Sequence, residues 1–445
     1  MIRKVLVANR GEIAVRIIRA CREMGIQTVA VYSEADREAL HAKLADEAIC
    51  IGPAAVSESY LSMEKIISAI IVSGADAVHP GFGFLSENSK FARLCEKCKI
   101  KFIGPSSQVI AKLGDKQAAR NTMTQAGVPV IPGSDHPVYS LEEGLLEAKK
   151  ASYPVMIKAV SGGGGKGMRM AKNPKDFKEL FLLAQRESVQ AFGDDAMYVE
   201  HFIKGSRHIE FQILADSFGN VIQLGERDCS IQRKHQKLIE ESPSLALSEK
   251  KRKEMGEAAV KAAKAAGYEN AGTIEFLLEE NGSFYFMEMN TRIQVEHPVT
   301  EWVTGVDLLK EQIRIASGLP LSYRQEDLHL QGHSIEVRIN AEKPEDNFKP
   351  CPGTITGLHF PGGKGIRIDS AIYSGYTIPP YYDSMLAKIS VWAKTRKEAI
   401  RKIQSALGET IIEGLDTNLN YQYEILNHPR YLAGHVSTDF VEEEM

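Results

Sequence analysis

The sequence contains one run that decides how the rest is interpreted: Phe284-Tyr285-Phe286-Met287-Glu288-Met289-Asn290-Thr291-Arg292-Ile293-Gln294-Val295-Glu296-His297. In an extended chain, successive side chains point to opposite faces. One face of this run is then apolar and carries Met287, Met289, Ile293 and Val295. The other face carries Glu288, Asn290, Arg292, Gln294 and Glu296. A buried strand with such a face must meet polar groups, so the run predicts a strand that lines a binding site.

A second strand precedes this run across a tight turn. Asn281-Gly282 is a strong hairpin signal, and Glu275 is set between apolar neighbours in the preceding strand. The hairpin is expected to bring Glu275 close to Glu288. Two carboxylates repel each other unless a cation intervenes, and oxygen ligands suit Mg²⁺. We therefore predict a metal site at Glu275, Glu288 and Asn290; the alternative is an exposed hairpin face.

A glycine-rich run lies between the predicted strand Val155–Val160 and the run Met168–Ala171. It reads Ser161-Gly162-Gly163-Gly164-Gly165-Lys166-Gly167 and lets backbone N–H groups approach phosphate oxygens. No Ser or Thr follows the lysine, so the run is not a Walker A loop. We predict a flap over phosphates, with a flexible hairpin tip as the alternative. Lys158, in an apolar strand, and Lys116 are candidate phosphate contacts, although each alone suits a solvated surface.

Two further segments are rich in polar groups. Glu226–Lys237 is dense in charge, and by itself it indicates a solvated loop. Ser334–Asn340 alternates, so that Glu336, Arg338 and Asn340 share a face. An arginine held in this way suits the stabilisation of an oxyanion, although a structural salt bridge is the alternative.

The remaining pattern predicts a parallel sheet followed by an antiparallel one. Predicted strands at Lys4–Ala8 and Gln27–Tyr32 flank a helix at Glu12–Met24, which is a βαβ alternation. Alternating strands occur beyond residue 203. We expect an α/β and α+β architecture with an N-terminal Rossmann-like domain (residues 1–113), a connecting helical segment (114–130), a lid domain (131–203) and a C-terminal catalytic domain (204–445).

The composition is that of a globular enzyme or binding protein. The 445 residues are 43% hydrophobic and 25% charged, with a net charge of -4, so neither a nucleic-acid nor a membrane partner is expected. No apolar run approaches the roughly 20 residues that span a bilayer. Six scattered cysteines indicate a reducing compartment, and we expect a cytoplasmic location.

Several of these segments together resemble the ATP-grasp superfamily and, within it, the biotin carboxylase family. The resemblance covers essentially the whole chain. It is carried by Val7–Ala14, His79–Asn88, the glycine-rich run, Glu226–Lys237, Glu288–Glu301 and Pro379–Met385. The resemblance implies an ATP-grasp fold with a mobile lid domain.

The resemblance also implies roles for individual residues. Nucleotide contacts would be Lys116, Lys158, Gly162, Gly163, Gly164, Gly165, Lys166, Gly167, Glu200, His201, Ile203, His208, Gln232, His235, Glu275 and Glu288. Two Mg²⁺ or Mn²⁺ ions would bind Glu275, Glu288 and Asn290. The bicarbonate and biotin site would contain Phe82, Lys237, Arg292, Gln294, the Val295 backbone, Glu296 and Arg338. Two positions depart from the family pattern, because Phe82 stands where Tyr is common and His201 where Lys is more usual.

The implied reaction is ATP- and bicarbonate-dependent carboxylation of biotin through carboxyphosphate. Glu296 would act as the general base, Lys237 and Arg292 would bind the anion, and Arg338 would face the biotin oxygen. The sequence has no Ala-Met-Lys-Met biotinylation motif and no carboxyltransferase region. Biotin is therefore expected on a separate carrier protein, with separate carboxyltransferase subunits and a homodimer of this chain.

Several alternatives remain open from the sequence. Acetyl-CoA carboxylase is the expected complex, but pyruvate carboxylase or another acyl-CoA carboxylase would suit the same chain. Another ATP-grasp ligase would share the lid, the lysines and the metal carboxylates. A nucleotide-sensing regulatory domain would be expected to lack the metal carboxylates or the base, which this sequence contains.

Overall fold

The computed structural model describes residues 1–160 and 168–445, apart from the side chains of residues 191 and 192. The chain begins with a five-stranded parallel sheet. The strands are β1 (Lys4–Val7), β2 (Gln27–Tyr32), β3 (Glu47–Cys50), β4 (Ala77–His79) and β5 (Lys101–Phe102). Their order is β3-β2-β1-β4-β5. The apolar run of β1 is fully buried from Val5 to Val7, which places this strand at the centre of the sheet.

Six helices accompany this sheet and continue beyond it. They are α1 (Gly11–Glu23), α2 (Leu40–Leu44), α3 (Met63–Ser73), α4 (Ser89–Lys97), α5 (Ser107–Gly114) and α6 (Lys116–Gln125). Short polar side chains cap three of them, because Asn88, Ser106 and Asp115 accept hydrogen bonds from backbone N–H groups of the first turns of α4, α5 and α6. α1 packs its apolar stripe, which includes Ile13 and Ile17, against the sheet.

A small antiparallel sheet follows. Its elements are α7 (Leu141–Ala151), β6 (Val155–Ala159), β7 (Met168–Ala171), α8 (Pro174–Phe192) and β8 (Met197–His201), with the strand order β7-β6-β8. Phe177 and Phe181 of α8 stack with ring centroids 5.4 Å apart and pack with Val155 and Ile157. The predicted flap of residues 161–167 lies outside the described residues.

The largest unit is an eight-stranded sheet. Its first part contains β9 (Arg207–Ala215), β10 (Val221–Arg233), β11 (Gln236–Ser242), α9 (Glu249–Ala266), β12 (Asn270–Leu278), β13 (Phe284–Asn290), α10 (His297–Thr304), α11 (Leu308–Ala316) and β14 (His333–Asn340). Short strands follow: β15 (Glu342–Lys343), β16 (Lys349–Pro350) and β17 (Gly357–His359). The chain ends with β18 (Ile366–Ser370), β19 (Met385–Ala393), α12 (Arg396–Glu409), β20 (Ile411–Glu413), α13 (Leu419–Asn427), α14 (Pro429–Leu432) and α15 (Phe440–Glu444).

The strand order of this sheet is β13-β12-β9-β10-β11-β14-β19-β18, and neighbouring strands within it run antiparallel. The expected combination of a parallel N-terminal sheet with a large antiparallel sheet is therefore confirmed. Among the described residues, no helix combines the length and apolar character needed to cross a lipid bilayer.

Two expectations about local structure are wrong. β13 ends at Asn290, so Arg292, Gln294 and Glu296 do not continue the strand, and the chain between Asn290 and α10 is irregular. Glu226–Lys237 is not a solvated loop, because it forms most of β10 and the start of β11 and is largely buried. In both places, contacts with distant parts of the chain outweigh the local pattern.

Candidate active site

A cavity of about 1170 Å³ is lined by residues from the N-terminal part of the chain, the small sheet and the large sheet. Its lining contains most of the residues that the sequence predicted for the site. These are Phe82, Ile203, His208, Gln232, His235, Lys237, Glu275, Glu288, Asn290, Arg292, Gln294, Val295, Glu296 and Arg338. The irregular segment after β13 reaches this cavity although it is not a strand.

Other predicted residues lie outside this lining. Lys116 is exposed at the start of α6. Lys158 of β6 forms an ion pair with Glu200 of β8, and the two residues lie on adjacent strands. His201 places its Nδ1 2.9 Å from the Ser152 carbonyl oxygen. Gly162, Gly163, Gly164, Gly165, Lys166 and Gly167 belong to the segment that the structure does not describe.

The two carboxylates predicted to bind metal are direct partners across the hairpin. Glu275 of β12 pairs with Glu288 of β13, and the Asn290 side-chain amide donates to Glu275 Oε1 over 2.9 Å. Partial desolvation, followed by the negative charges of Glu275 and Glu87, raises the pKa of Glu288. No ion pair within the described residues neutralises Glu288. Two adjacent carboxylates with an amide oxygen nearby therefore fit a hard divalent cation.

Lys237 lies at the centre of three buried carboxylates. Its Nζ is 2.6 Å from Glu210 Oε2, 3.0 Å from Glu275 Oε1 and 2.6 Å from Glu296 Oε1. Burial alone would lower the pKa of Lys237, but these carboxylates outweigh it and the pKa lies well above its ordinary value. The side chain is therefore a permanent cation on the cavity wall.

His208, Glu210 and Glu275 also place potential ligand atoms within 4.8 Å of one another. His208 Nε2 is 2.9 Å from Glu275 Oε2. Because the Lys237 ammonium already binds both carboxylates, a metal ion between them would have to displace it. The pair of Glu275 and Glu288 is the better metal site, because Glu210 is already paired with Arg227 and Lys237, whereas Glu288 has no cationic partner among the described residues.

Glu296 is buried between two cationic side chains. Besides Lys237, Arg338 places its Nη2 3.0 Å from Glu296 Oε2, and its Nε donates to Glu240 Oε1 over 2.7 Å. Burial alone would raise the pKa of Glu296, but Lys237 and then Arg338 hold it well below its ordinary value. The carboxylate is thus ionised and aligned beside two cations, an arrangement that can bind a small anion and accept a proton from it.

The irregular segment between β13 and α10 is fixed by side-chain hydrogen bonds. Glu87 accepts from the Thr291 N–H over 2.9 Å and from Arg292 Nε over 2.9 Å. Gln294 accepts from the fully buried Arg227 over 2.7 Å and donates to Glu275 over 2.6 Å. These bonds replace a strand ladder in holding Arg292 and Gln294 against the cavity.

His235 and Gln232 lie where β10 turns into β11. Lys234 and His235 have φ values of 48° and 63°, so this turn uses the left-handed region without glycine. Gln232 is buried near the end of β10, and both His235 and Gln232 line the cavity. This strained turn points residues of the Glu226–Lys237 segment at the site.

Four charged residues of the site were missed by the sequence predictions. Glu87 accepts a hydrogen bond from Arg292, and Glu210 accepts one from Lys237. Arg227 donates to Gln294, and Glu240 accepts from Arg338. The available signal was the alternation of His208-Ile209-Glu210, which places a carboxylate on the same strand face as a predicted site residue. Glu240 had no comparable local signal.

Comparison with known protein families gives matches over nearly the whole chain. The model of the biotin carboxylase N-terminal domain matches residues 1–110. The ATP-binding domain of the carbamoyl-phosphate synthase L chain matches residues 115–324, and the biotin carboxylase C-terminal domain matches residues 336–443.

Relatives and solved structures extend the comparison. Biotin carboxylase 1 of Bacillus subtilis is 56% identical over 99% of this chain and 98% of its own length. A pyruvate carboxylase subunit from Methanothermobacter thermautotrophicus is 52% identical over 100% of this chain and 90% of its own. The biotin carboxylase domain dimer of Hydrogenobacter thermophilus 2-oxoglutarate carboxylase, solved with MgADP, ADP and bicarbonate, has a TM-score of 0.92 at 50% identity and covers 100% of this chain and 98% of its own. The chain therefore belongs to the biotin carboxylase family of ATP-dependent ligases.

Proposed function

We propose that this chain is the biotin carboxylase subunit of an acetyl-CoA carboxylase and carries out the first half-reaction of fatty acid synthesis. It would carboxylate biotin on a separate carrier protein, with ATP and bicarbonate as co-substrates. The observation that carries the proposal is the convergence of Lys237, Glu296 and Arg338 beside the Glu275–Glu288 pair in one cavity. The proposal includes four segments: an N-terminal domain (residues 1–113), a connecting helical segment (114–130), a lid domain (131–203) and a catalytic domain (204–445).

The nucleotide is proposed to bind across the small and large sheets. The Hydrogenobacter protein was solved with MgADP, which supports a magnesium nucleotide here. Glu275, Glu288 and Asn290 would hold two Mg²⁺ or Mn²⁺ ions, which would neutralise phosphate charge during transfer. The further nucleotide contacts would be Lys116, Lys158, Gly162, Gly163, Gly164, Gly165, Lys166, Gly167, Glu200, His201, Ile203, His208, Gln232 and His235.

Bicarbonate is proposed to bind beside Glu296. Lys237, Arg292, Gln294 and the Val295 backbone would hold the anion, and Glu296 would accept its proton. The resulting oxygen attacks the γ-phosphate of ATP, which gives ADP and carboxyphosphate. A cavity closed to water would protect this intermediate from hydrolysis.

Biotin is proposed to meet Arg338 and Phe82. Carboxyphosphate would break down to carbon dioxide and phosphate, and the phosphate would remove the N1′ proton of biotin. The Arg338 guanidinium, held by Glu240 and Glu296, would stabilise the negative charge on the ureido oxygen. Nitrogen N1′ then attacks carbon dioxide.

The first experiment measures ADP release by the purified chain with MgATP, bicarbonate and free biotin. We expect ADP release to depend on bicarbonate and to rise with biotin. No ADP release under any combination, or release that another carboxylate substrate supports in place of bicarbonate, would favour a different ATP-grasp ligase.

The choice of complex is a separate question. The 52% identity to a pyruvate carboxylase subunit supports a second candidate, in which the same half-reaction serves pyruvate. Affinity purification of the tagged chain from its native cells, followed by mass spectrometry, is expected to recover a biotin carrier and acetyl-CoA carboxyltransferase subunits. Recovery of a pyruvate-specific carboxyltransferase would support the second candidate. A homodimer is also proposed, and light scattering tests it.

A further inference from the structure

Lys388 is a fully buried lysine that touches the backbone of the proposed bicarbonate site. It lies on β19, and its Nζ donates to the Val295 carbonyl oxygen over 2.6 Å. The same Nζ is 3.2 Å from Glu12 Oε1 of α1. Lysine is rarely fully buried unless it is paired, so the Val295 carbonyl and the Glu12 carboxylate are the partners that stabilise this ammonium group.

The strand register places Lys388 next to Arg338. Lys388 faces Arg338 on β14 and Asp369 on β18 across the sheet. Burial alone would lower the pKa of Lys388, but the carboxyl groups led by Glu12 outweigh it and the pKa lies above its ordinary value. The ammonium therefore keeps the proton with which it binds the Val295 carbonyl.

The neighbouring peptide is held in the same way. His297 is fully buried, and its Nδ1 is 2.9 Å from the Gln294 carbonyl oxygen. Burial, followed by the charges of Lys388 and Arg367, holds the pKa of His297 well below its ordinary value, so the ring is neutral. Because a carbonyl oxygen can only accept, Nδ1 carries the proton.

Two successive carbonyl groups, those of Gln294 and Val295, are thus bound by buried donors. In a trans peptide the N–H points opposite to its carbonyl. The N–H groups of Val295 and Glu296 therefore point away from Lys388 and His297, and no acceptor within residues 1–160 and 168–445 binds them. Consecutive free N–H groups form an anion-binding concavity, and both residues line the cavity.

We propose that Lys388 is a positioning residue for the bicarbonate site, which acts by holding the Val295 carbonyl so that the Val295–Glu296 backbone presents its N–H groups and the Glu296 carboxylate to the anion. This inference rests on the proposed function. It assigns a role in anion binding to a side chain that touches no substrate, and it ties that role to Glu12 of the N-terminal part.

The test replaces the ammonium by an apolar group of similar length, Lys388→Met. We expect the KM for bicarbonate to rise roughly tenfold and the KM for ATP to change less than twofold, because the displaced backbone contacts the anion. The variant leaves Glu12 buried without its cation. A second variant, Lys388→Met with Glu12→Gln, removes both charges, and replacing a buried pair is tolerated better than breaking it. The same rise in the bicarbonate KM is expected.

Lys402→Met is the matched control, because Lys402 Nζ likewise binds a backbone carbonyl, that of Trp392 in β19, over 2.7 Å. Trp392 lies outside the cavity lining, whereas Val295, which Lys388 binds, belongs to it. The KM values of this control should equal those of the wild type. An unchanged bicarbonate KM in the folded double variant, or equal rises for bicarbonate and ATP, would overturn the inference. The wild-type protein distinguishes the two proposals. If it shows no bicarbonate-dependent ADP release, the proposed function is wrong, whereas the Lys388 inference is tested only by the variants of an active protein.

Discussion

The Glu296 carboxylate is a base whose strength depends on what occupies the cavity. In the structure its two oxygens bind Lys237 and Arg338, and these cations hold its pKa well below the ordinary value. A carboxylate in that state is a weak proton acceptor. An anion that draws Lys237 or Arg338 towards itself would raise the pKa of Glu296. Base strength would then increase when bicarbonate binds.

Arg338 offers the sharpest test at the residue scale. We expect Arg338→Ala to lower biotin carboxylation about a hundredfold and to lower bicarbonate-dependent ATP cleavage much less, because the guanidinium stabilises charge on biotin. The measurement compares carboxybiotin formation with ADP release in the same samples. Arg401→Ala, an exposed position on α12, is the control. Equal losses in the two reactions would contradict the assigned role.

Glu288 tests the metal assignment. We expect Glu288→Gln to weaken the apparent affinity for Mg²⁺ at least tenfold, because ligand charge sets cation affinity. ADP release titrated with Mg²⁺ at fixed ATP gives this affinity, and EDTA should abolish the activity of both proteins. Glu280→Gln changes an exposed carboxylate in the same hairpin and should have no effect. A Glu288→Gln titration that matches the wild type would exclude Glu288 as a ligand.

At the scale of elements, Glu241 joins three parts of the C-terminal region. This buried residue of β11 accepts from His333 of β14 over 2.7 Å and from Arg396 of α12 over 2.6 Å and 3.0 Å. Burial alone would raise the pKa of Glu241, but these two partners lower it to about 2. The carboxylate thus stabilises the packing of α12 on the sheet.

The stability contribution of Glu241 should depend on pH. Its pKa is lower in the folded state, so the stabilisation is complete above pH 4.5 and is lost as the pH falls from about 4.5 to about 2. We expect Glu241→Gln to lower the free energy of unfolding by about 3 kcal/mol at pH 7. Urea denaturation at pH 7 and pH 3.5 should show a smaller difference at the lower pH.

Glu398→Gln, on the exposed first turn of α12, is the matched control for this experiment. It should change the free energy of unfolding by less than about 0.5 kcal/mol. A difference between wild type and Glu241→Gln that stays constant with pH would show that the carboxylate charge does not stabilise the fold.

Local patterns predicted some elements well and others poorly. Gln27–Tyr32 has the predicted bounds, and the Asn281-Gly282 turn joins β12 to β13 as expected, because apolar runs and turn residues act over short distances. The end of β13 could not be predicted, because Glu87 and Arg227 hold the chain after Asn290 from distant positions. The charged residues of β10 are buried for the same reason.

At the scale of the whole molecule, a buried aspartate joins the N-terminal sheet to the C-terminal region. Asp36 accepts from Arg10 over 2.6 Å and 2.8 Å and from the Tyr60 hydroxyl over 2.6 Å. Tyr376 of the C-terminal region places its hydroxyl 3.5 Å from the same carboxylate, and the Arg10 guanidinium lies 4.1 Å from the Tyr382 ring centroid. The network therefore spans the interface between the two regions.

We expect Asp36→Asn to destabilise the protein by about 3 kcal/mol, because Arg10, which is only partly exposed, would remain charged without its buried carboxylate partner. Thermal unfolding and limited proteolysis should show that the N-terminal region opens first. Glu34→Gln alters an exposed carboxylate of the same short segment and is the control. An Asp36→Asn protein with unchanged unfolding and unchanged cleavage sites would contradict this account.

The overall architecture could be predicted because it follows from the order of strand and helix patterns. The residues that line the cavity could be anticipated from polar sequence motifs. The charged residues that hold those side chains in place could not. Glu240 and Asp36 each meet a partner far away in the sequence, Arg338 and Tyr376 respectively, and no periodicity marks such pairs.

The pairing of Glu275 with Glu288 restricts how the segment between them can vary among homologous chains. Strand spacing, not side-chain flexibility, sets how far apart these two carboxyl groups can stand. Shifting the register by one residue would turn Glu288 to the opposite side of the sheet. Homologous chains that bind a cation here should therefore conserve the length of the segment from Glu275 to Glu288 more strictly than its composition.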